Sequence, residues 1–392
     1  MPVGTTNYPT GWYTMGWTAI RKHISMVVDR LYNPLHPLSD KRKIFKIHNY
    51  RIIPCMDFYL NHPWSIHSRK LLGMETTYHR IPKFVYSFDK PYVTGIVLRF
   101  WFKYALLFFI LLLPFISNGA YHFYLGPVLV IGCFIPIVPK KWKIIFGILL
   151  VTMLVINLGA RSQVIKSAIV LLIAAGIYFK RIIPYKLLKI GHWICYIVPI
   201  ILLTLGITGT FNIFEDLSSN KGKYIEKKVV NGQVVEDDLS TDTRTFIYVE
   251  VIESALRHNY VIWGRTPARG NDSMAFGAYS AEELKTGKYE RHGNEVGHLN
   301  IFTWLGVIGL ILLSFIYIQS SILALYKSNN MYLKYLGILL SFKWAYGWIE
   351  EAYSFSIFSI SLWLIISICL SKQFRTMTNK QFESYIKSLF RS

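Results

Sequence analysis

The chain is built of apolar blocks about as long as a bilayer-crossing helix, separated by short polar connections and by one long one. A hydrocarbon core of about 30 Å takes about 20 residues of helix. Lipid offers no hydrogen bonds, so a spanning backbone must be helical or form a closed barrel. We read eight spans, approximately 96–117, 121–138, 143–159, 163–179, 190–213, 298–318, 332–349 and 353–371. The expected fold class is therefore an all-α polytopic membrane protein: about eight transmembrane helices with one large periplasmic loop. Arg99 and Lys103 in the first block are expected to snorkel to its end. Composition agrees, because 53% hydrophobic residues and a mean hydropathy of +0.33 exceed what an ordinary soluble protein carries.

The formal charge of +21 sits in short runs between apolar blocks, so it reads as membrane orientation rather than a nucleic-acid face. Alternate connections are basic: Lys140, Lys141 and Lys143; Lys180, Arg181, Lys186 and Lys189; Lys327 and Lys334. The tail adds Lys372, Arg375, Lys380, Lys387 and Arg391, whereas the intervening turns hold only Arg161 as a cation. The positive-inside rule then places both termini in the cytoplasm, in a bacterial inner membrane. Met1 to Thr18 lacks the apolar stretch of a signal peptide.

Five regions follow. Residues 1–92 are a basic preamble with 13 Lys and Arg against 5 Asp and Glu. Ile20, Ile24, Val27, Val28 and Leu31 fall on one helical face, opposite Arg21, Lys22 and Arg30, which predicts a helix lying on a membrane surface or packed on a small subdomain. Residues 93–213 hold five spans, 214–297 the long loop, 298–371 three spans, and 372–392 a basic tail. The loop has 11 Lys and Arg against 14 Asp and Glu, opposite in sign to the rest of the chain. A connection of this length between packed helices is commonly functional. Within it, Asn231–Gly232 predicts a hairpin turn, and Ser240–Asp242 predicts the cap of a helix from Arg244 to Arg257. The four cysteines lie outside the loop, so they imply no disulfide framework or metal site there.

Chemistry-bearing residues concentrate in and beside the loop. Arg244, Arg257, Arg265 and Arg269 bring guanidinium groups, whose fork geometry suits phosphate, into an acidic segment. Arg257 also stands four residues after Glu253, the spacing of a helical ion pair. Arg265 and Arg269 lie in the glycine-flanked turn Trp263–Gly270. Arg161, in Gly159-Ala160-Arg161-Ser162-Gln163, breaks the positive-inside pattern, and a cation at such an edge is either functional or snorkelling. Lys166 lies one turn deeper, in a functional or a structural pair. His298, where the loop re-enters the membrane, is a general-base candidate or a helix cap. Glu350 and Glu351, at the end of the seventh span, are alternative bases or helix-end acids. His292 and His298 lack metal-ligand spacing, and no phosphate loop, nucleophile elbow or dinucleotide fingerprint is present. No cofactor or metal is expected. A cationic outward pocket with one histidine suits a substrate that brings its own leaving group, such as a lipid pyrophosphate.

The order of these features resembles the O-antigen polymerase and O-antigen ligase superfamily. The shared elements are Gly159-Ala160-Arg161-Ser162 before a span, an Arg-led loop helix, a glycine-rich turn, and His298 and Asn300 opening a helix with Gly306 and Gly309. Leu299 between His298 and Asn300 favours the polymerase branch. The resemblance covers roughly residues 96–371. It implies a metal-independent glycosyltransferase acting on undecaprenyl-pyrophosphate-linked oligosaccharide, for polysaccharide or lipopolysaccharide biosynthesis. Arg161 and Arg244 would hold pyrophosphate and His298 would serve the acceptor hydroxyl. A chain-length regulator and a flippase are the implied protein partners, besides membrane lipids. A ligase acting on lipid A core, and a non-enzymatic transporter, remain the other readings.

Overall fold

The computed structural model describes residues 88–112, 115, 124–155, 161–179, 184–207, 225–230, 233–238, 244–274, 276–283, 286–351, 353 and 357–390. All belong to one compact unit, His62–Ser392. The amphipathic helix expected at 20–31 lies outside them.

The described chain is mostly helical. Its elements are α1 (Pro91–Leu112), α2 (Gly126–Gly132), α3 (Lys140–Val155), α4 (Arg161–Tyr178), α5 (Tyr185–Ile207), β1 (Ile225–Val230), β2 (Gln233–Asp238) and α6 (Arg244–Arg257). There follow β3 (Asn271–Asp272), β4 (Glu290–Arg291), α7 (Gly297–Tyr326), α8 (Met331–Tyr346), α9 (Ile357–Leu370), α10 (Lys372–Thr376) and α11 (Asn379–Ser388).

Among the described residues, three helices are long and apolar enough to cross a membrane: Pro91–Leu112, Tyr185–Gly206 and Gly297–Tyr326. Val164–Tyr178 and Ser359–Leu370 are shorter apolar stretches. The block expected as a span over 121–138 differs. Its helix α2 has 7 residues, about 10 Å at 1.5 Å per residue, and a 3₁₀ turn over Ile135–Ile137 follows. Pro136 explains the change, since its ring lacks an N–H and clashes with an α-helical turn.

The core gathers on α7, α8 and α9. Helix α7 packs against both, α8 also meets α4 and α5, and α9 meets α2. Tyr317, Tyr332, Phe134, Phe146, Leu150 and Leu325 are among the fully buried side chains. One end of this bundle is locked by the C-terminal segment. Asn330 caps α8 by accepting from the Leu333 amide, 2.9 Å, and its Nδ2 donates to the carbonyls of Phe374 and Met377. Arg99 donates to Ser388 Oγ at 3.3 Å, and Phe390 packs against Phe102 and Trp142. We call this the tail end.

The long connection emerges at the opposite end, the loop end. Strands β1 and β2 pair antiparallel with Val230 opposite Gln233, the register expected for a hairpin, and the expected turn residues Asn231–Gly232 lie outside the described residues. Helix α6 buries Ile247, Val251 and Ala255 and packs on Val296 and Leu299 at the start of α7. Its other face exposes Phe246, Val249, Ile252 and Leu256, and the exposed row continues through Ile262 and Trp263.

The segment after α6 is spliced into α7. At Gly306 the helix breaks, with φ 67° and ψ −166°. An unbroken ladder would have Val307 and Ile308 amides donate to the carbonyls of Thr303 and Trp304. Instead the Thr303 and Trp304 carbonyls accept from Arg265 and Thr266 at 2.6 and 3.0 Å. The freed Val307 and Ile308 amides donate to Val261 and Ile262 at 2.9 and 3.3 Å. The four groups of these two broken rungs thus find partners in 261–266, the condition for irregular backbone inside an apolar environment. The two glycines allow it. A Cβ at Gly264, which has φ 75°, would lie 2.4 Å from the Leu305 amide nitrogen, and one at Gly306 would lie 2.2 Å from the Ile262 carbonyl oxygen.

Candidate functional site

The first turn of α7 and the segment after α8 meet at the loop end. The Gly297 amide donates to the Glu350 carbonyl at 3.1 Å, and the His298 amide donates to the Gly347 carbonyl at 3.0 Å. These two bonds draw residues 50 positions apart into one shell. Gly347 makes room for the imidazole, since a Cβ there would stand 2.6 Å from His298 Cε1.

His298 is fully buried. Its ring stacks on Tyr353 and packs edge-on against Trp348, with centroids 4.6 Å apart, beside Trp344. Nδ1 lies 3.0 Å from Tyr353 Oη. Nε2 is buried with no hydrogen-bond partner among the described residues, and so is the neighbouring Trp348 Nε1. Such unpartnered buried polar atoms are rare and invite a functional explanation. The helix cap position is held by Val296, so His298 is neither a cap nor a surface group.

Glu351 and Glu350 stand on either side of the same turn and take different partners. Glu351 accepts from Asn300 Nδ2 and from the Tyr353 amide. Asn300 also bonds both backbone groups of Asn294, and Asn294 donates to Asn271 at 3.0 Å. An asparagine chain therefore ties the loop to the histidine's helix. Glu350 pairs with Lys166 at 2.5 Å, both side chains largely buried. Lys166 and Lys343 line a cavity of about 10 Å³ between α2, α4, α8 and α9, room for a single water.

The loop arginines form a second cluster. Arg265, 11% exposed, donates to Asp272 at 2.8 Å and to the Gly270 carbonyl, and lies 3.5 Å from Glu290. Arg269 grips Glu290 with both its Nε and a terminal nitrogen. Arg257 lies against Asp272 at 3.5 Å, where the sequence spacing suggested Glu253; the fold of 258–272 brings the aspartate across. His258 also meets Asp272, at 2.7 Å. Arg161 and Arg244 open α4 and α6, and their side chains lie outside the described residues.

Burial would raise the carboxyl pKa of Glu290, but the hydrogen bonds and charges of Arg269 and Arg265 outweigh it and hold it below the usual range. Asp272 is lowered likewise, burial being outweighed by Arg265 and His258. A depressed folded pKa adds stability above the unfolded value and loses it as pH falls through the folded one. The loop is therefore expected to loosen progressively below about pH 4.5, where ordinary carboxyls begin to protonate. Limited proteolysis of the loop between pH 7 and pH 3 checks this, with Glu290→Gln as comparison. The variant should already be cleaved faster at pH 7. Equal cleavage of both proteins at every pH would show that these pairs do not hold the loop.

The structure thus ties the backbone of the His298 turn to that of Gly347 and Glu350, pairs Glu350 with Lys166 and Glu351 with Asn300, and places Arg265 and Arg269 on the loop's own carboxylates. Tyr353, Trp348 and Gly347 were not visible as site residues in the sequence. Their signal was the aromatic-glycine run Trp344–Trp348 beside two glutamates. Among the described residues no group of three or more His, Cys, Asp or Glu is placed to hold a metal ion. Taken together, these features define a mostly helical protein with three described helices long and apolar enough to cross a membrane and a polar loop spliced into one of them. No family model, curated protein or solved structure matches the chain.

Proposed function

We propose that the chain is a multi-pass inner-membrane glycosyltransferase that polymerises lipid-pyrophosphate-linked repeat units on the outer face. One observation carries the reading: a buried histidine with one nitrogen oriented by a tyrosine hydroxyl and the other unpartnered, beside two carboxylates at the loop end. A base oriented by a third group is the arrangement that activates a hydroxyl. Repeated crossings fit the packing of neighbouring helices, since Tyr185 reaches Leu325 and Tyr335 reaches Gly176 across antiparallel pairs. The exposed apolar row on α6 suits a loop resting on lipid.

In this reaction an acceptor hydroxyl oxygen bonds to the anomeric carbon of the lipid-linked chain. The carbon–oxygen bond to pyrophosphate breaks and its electron pair leaves with the pyrophosphate. The hydroxyl proton passes to His298 Nε2, in the tautomer whose Nδ1–H donates to Tyr353 Oη. Attack without a covalent intermediate inverts the anomeric centre. Cations near the departing pyrophosphate stabilise its growing charge. Arg161 and Arg244 take this role first, because Arg265 and Arg269 reach a substrate only by releasing Asp272 and Glu290. Trp344, Trp348 and Tyr353 cover the imidazole, so the acceptor enters as that cover parts.

The test is reconstitution of the full chain in vesicles with undecaprenyl-pyrophosphate-linked repeat units taken from its own source. A ladder of lengthened glycan on the lipid carrier is the expected product. Transfer to lipid A core without lengthening would make it a ligase, and vectorial movement of unaltered glycan would make it a transporter. Either product overturns the polymerase reading.

A further inference from the structure

A groove of about 430 Å³ runs along α5 near the tail end, lined by Ile190, Trp193, Ile194, Ile197 and Val198, with Lys189 and Tyr326 at its mouth. Its apolar side chains are roughly half exposed, and no described element covers them. The mouth is cationic and aromatic. Lys189 Nζ sits over the Tyr185 ring at 4.5 Å and over Tyr326 at 5.3 Å, and Lys334 Nζ sits over the same Tyr185 ring at 4.6 Å. Neither lysine pairs with a carboxylate among the described residues. A ring face attracts an ammonium without using its N–H donors, so these remain directed to a ligand. Lys189 stands four residues into a membrane-length helix, about 6 Å from its start, the level at which headgroups meet acyl chains.

We infer that this groove is a binding site for an anionic phospholipid of the bilayer, its phosphate at Lys189, with Lys334 adding positive charge from across the Tyr185 ring, and one acyl chain along α5. Charge complementarity selects the headgroup, since two ammonium groups held at one tyrosine ring beside the groove favour a net-negative lipid over a zwitterionic one. Position separates the site from the proposed chemistry, which lies at the opposite end of the bundle. The inference rests on membrane embedding and not on the glycosyltransferase reading.

The experiment is native mass spectrometry of the full chain released from nanodiscs of phosphatidylcholine with or without phosphatidylglycerol. Wild-type protein should retain phosphatidylglycerol over phosphatidylcholine. A Lys189→Gln/Lys334→Gln double variant should retain it roughly tenfold less or weaker. Lys372→Gln removes an exposed charge outside the groove and should leave retention unchanged. Ile194→Trp fills the groove, keeps both lysines, and should also lose the lipid, which keeps the test decisive if the double variant does not fold. Equal retention of both lipids by wild type, or unaltered retention in the variants, overturns the site. Glycerol 1-phosphate competing as well as phosphatidylglycerol would make it a free-phosphate site instead. Glycan products play no part in this readout, so the two readings fail separately.

Discussion

Replacing His298 by glutamine is expected to lower polymerisation about 10²–10⁴-fold, the usual contribution of a positioned general base. Glutamine is the informative substitution because the imidazole is fully buried between Trp348 and Tyr353. Alanine would remove the same chemistry and also leave a cavity, which alone costs kcal/mol of stability. The readout is glycan length at matched membrane levels, with Glu350→Gln and Glu351→Gln alongside. Gly347→Ala gives a second view, since its Cβ would crowd His298 Cε1 at 2.6 Å and turn the ring while leaving every titratable group present. A histidine-dependent reaction should fall in both variants. Full-length glycan from His298→Gln, with short chains from one of the glutamate variants, would move the base to that carboxylate. Unchanged glycan from all of them would remove general-base catalysis and leave cation electrostatics to explain the rate.

Gly306→Ala is expected to be strongly destabilising for a single methyl addition. Gly306 has φ 67°, where a side chain costs about 1–3 kcal/mol. The added carbon would also stand 2.2 Å from the Ile262 carbonyl oxygen. The clash is with backbone, so relief requires the inserted segment to withdraw, and four interlocking hydrogen bonds go with it. At about 0.5–1.5 kcal/mol each, the four bonds alone amount to about 2–6 kcal/mol. Gly264→Ala should behave alike, because the two glycines face one another. Thermal unfolding in detergent measures the loss, and thiol labelling of Val261→Cys, a half-buried position of the inserted segment, in the Gly306→Ala background reports whether the segment has left the helix. A Gly306→Ala protein with unchanged melting and labelling would mean that the splice contributes nothing.

Much of the architecture was legible because hydrophobic length and helix capping act locally. The apolar blocks marked α1, α5 and α7, the Asn231–Gly232 pair marked the hairpin register, and the helix expected from Arg244 to Arg257 is α6, while its expected cap at Ser240–Asp242 lies outside the described residues. The block over 121–138 was overestimated because Pro136 ends a helix that hydropathy alone would extend. Lys166 and Glu350 were each visible as unusual charges, but their pairing was not. They are 184 positions apart, and only helix packing brings them together.

The arginines show the same division most sharply. The sequence by itself determined that five guanidinium groups occupy an acidic loop, and that a histidine opens a long apolar helix, because residue type and periodicity are properties of the chain. Only the tertiary structure decided that Arg265 and Arg269 face Glu290 and Asp272, that His298 is buried against Tyr353, and that 261–266 completes the broken ladder of α7. Each of these depends on which distant backbone groups are left unsatisfied and which carboxylate lies within reach, and in a low-dielectric interior the nearest partner wins.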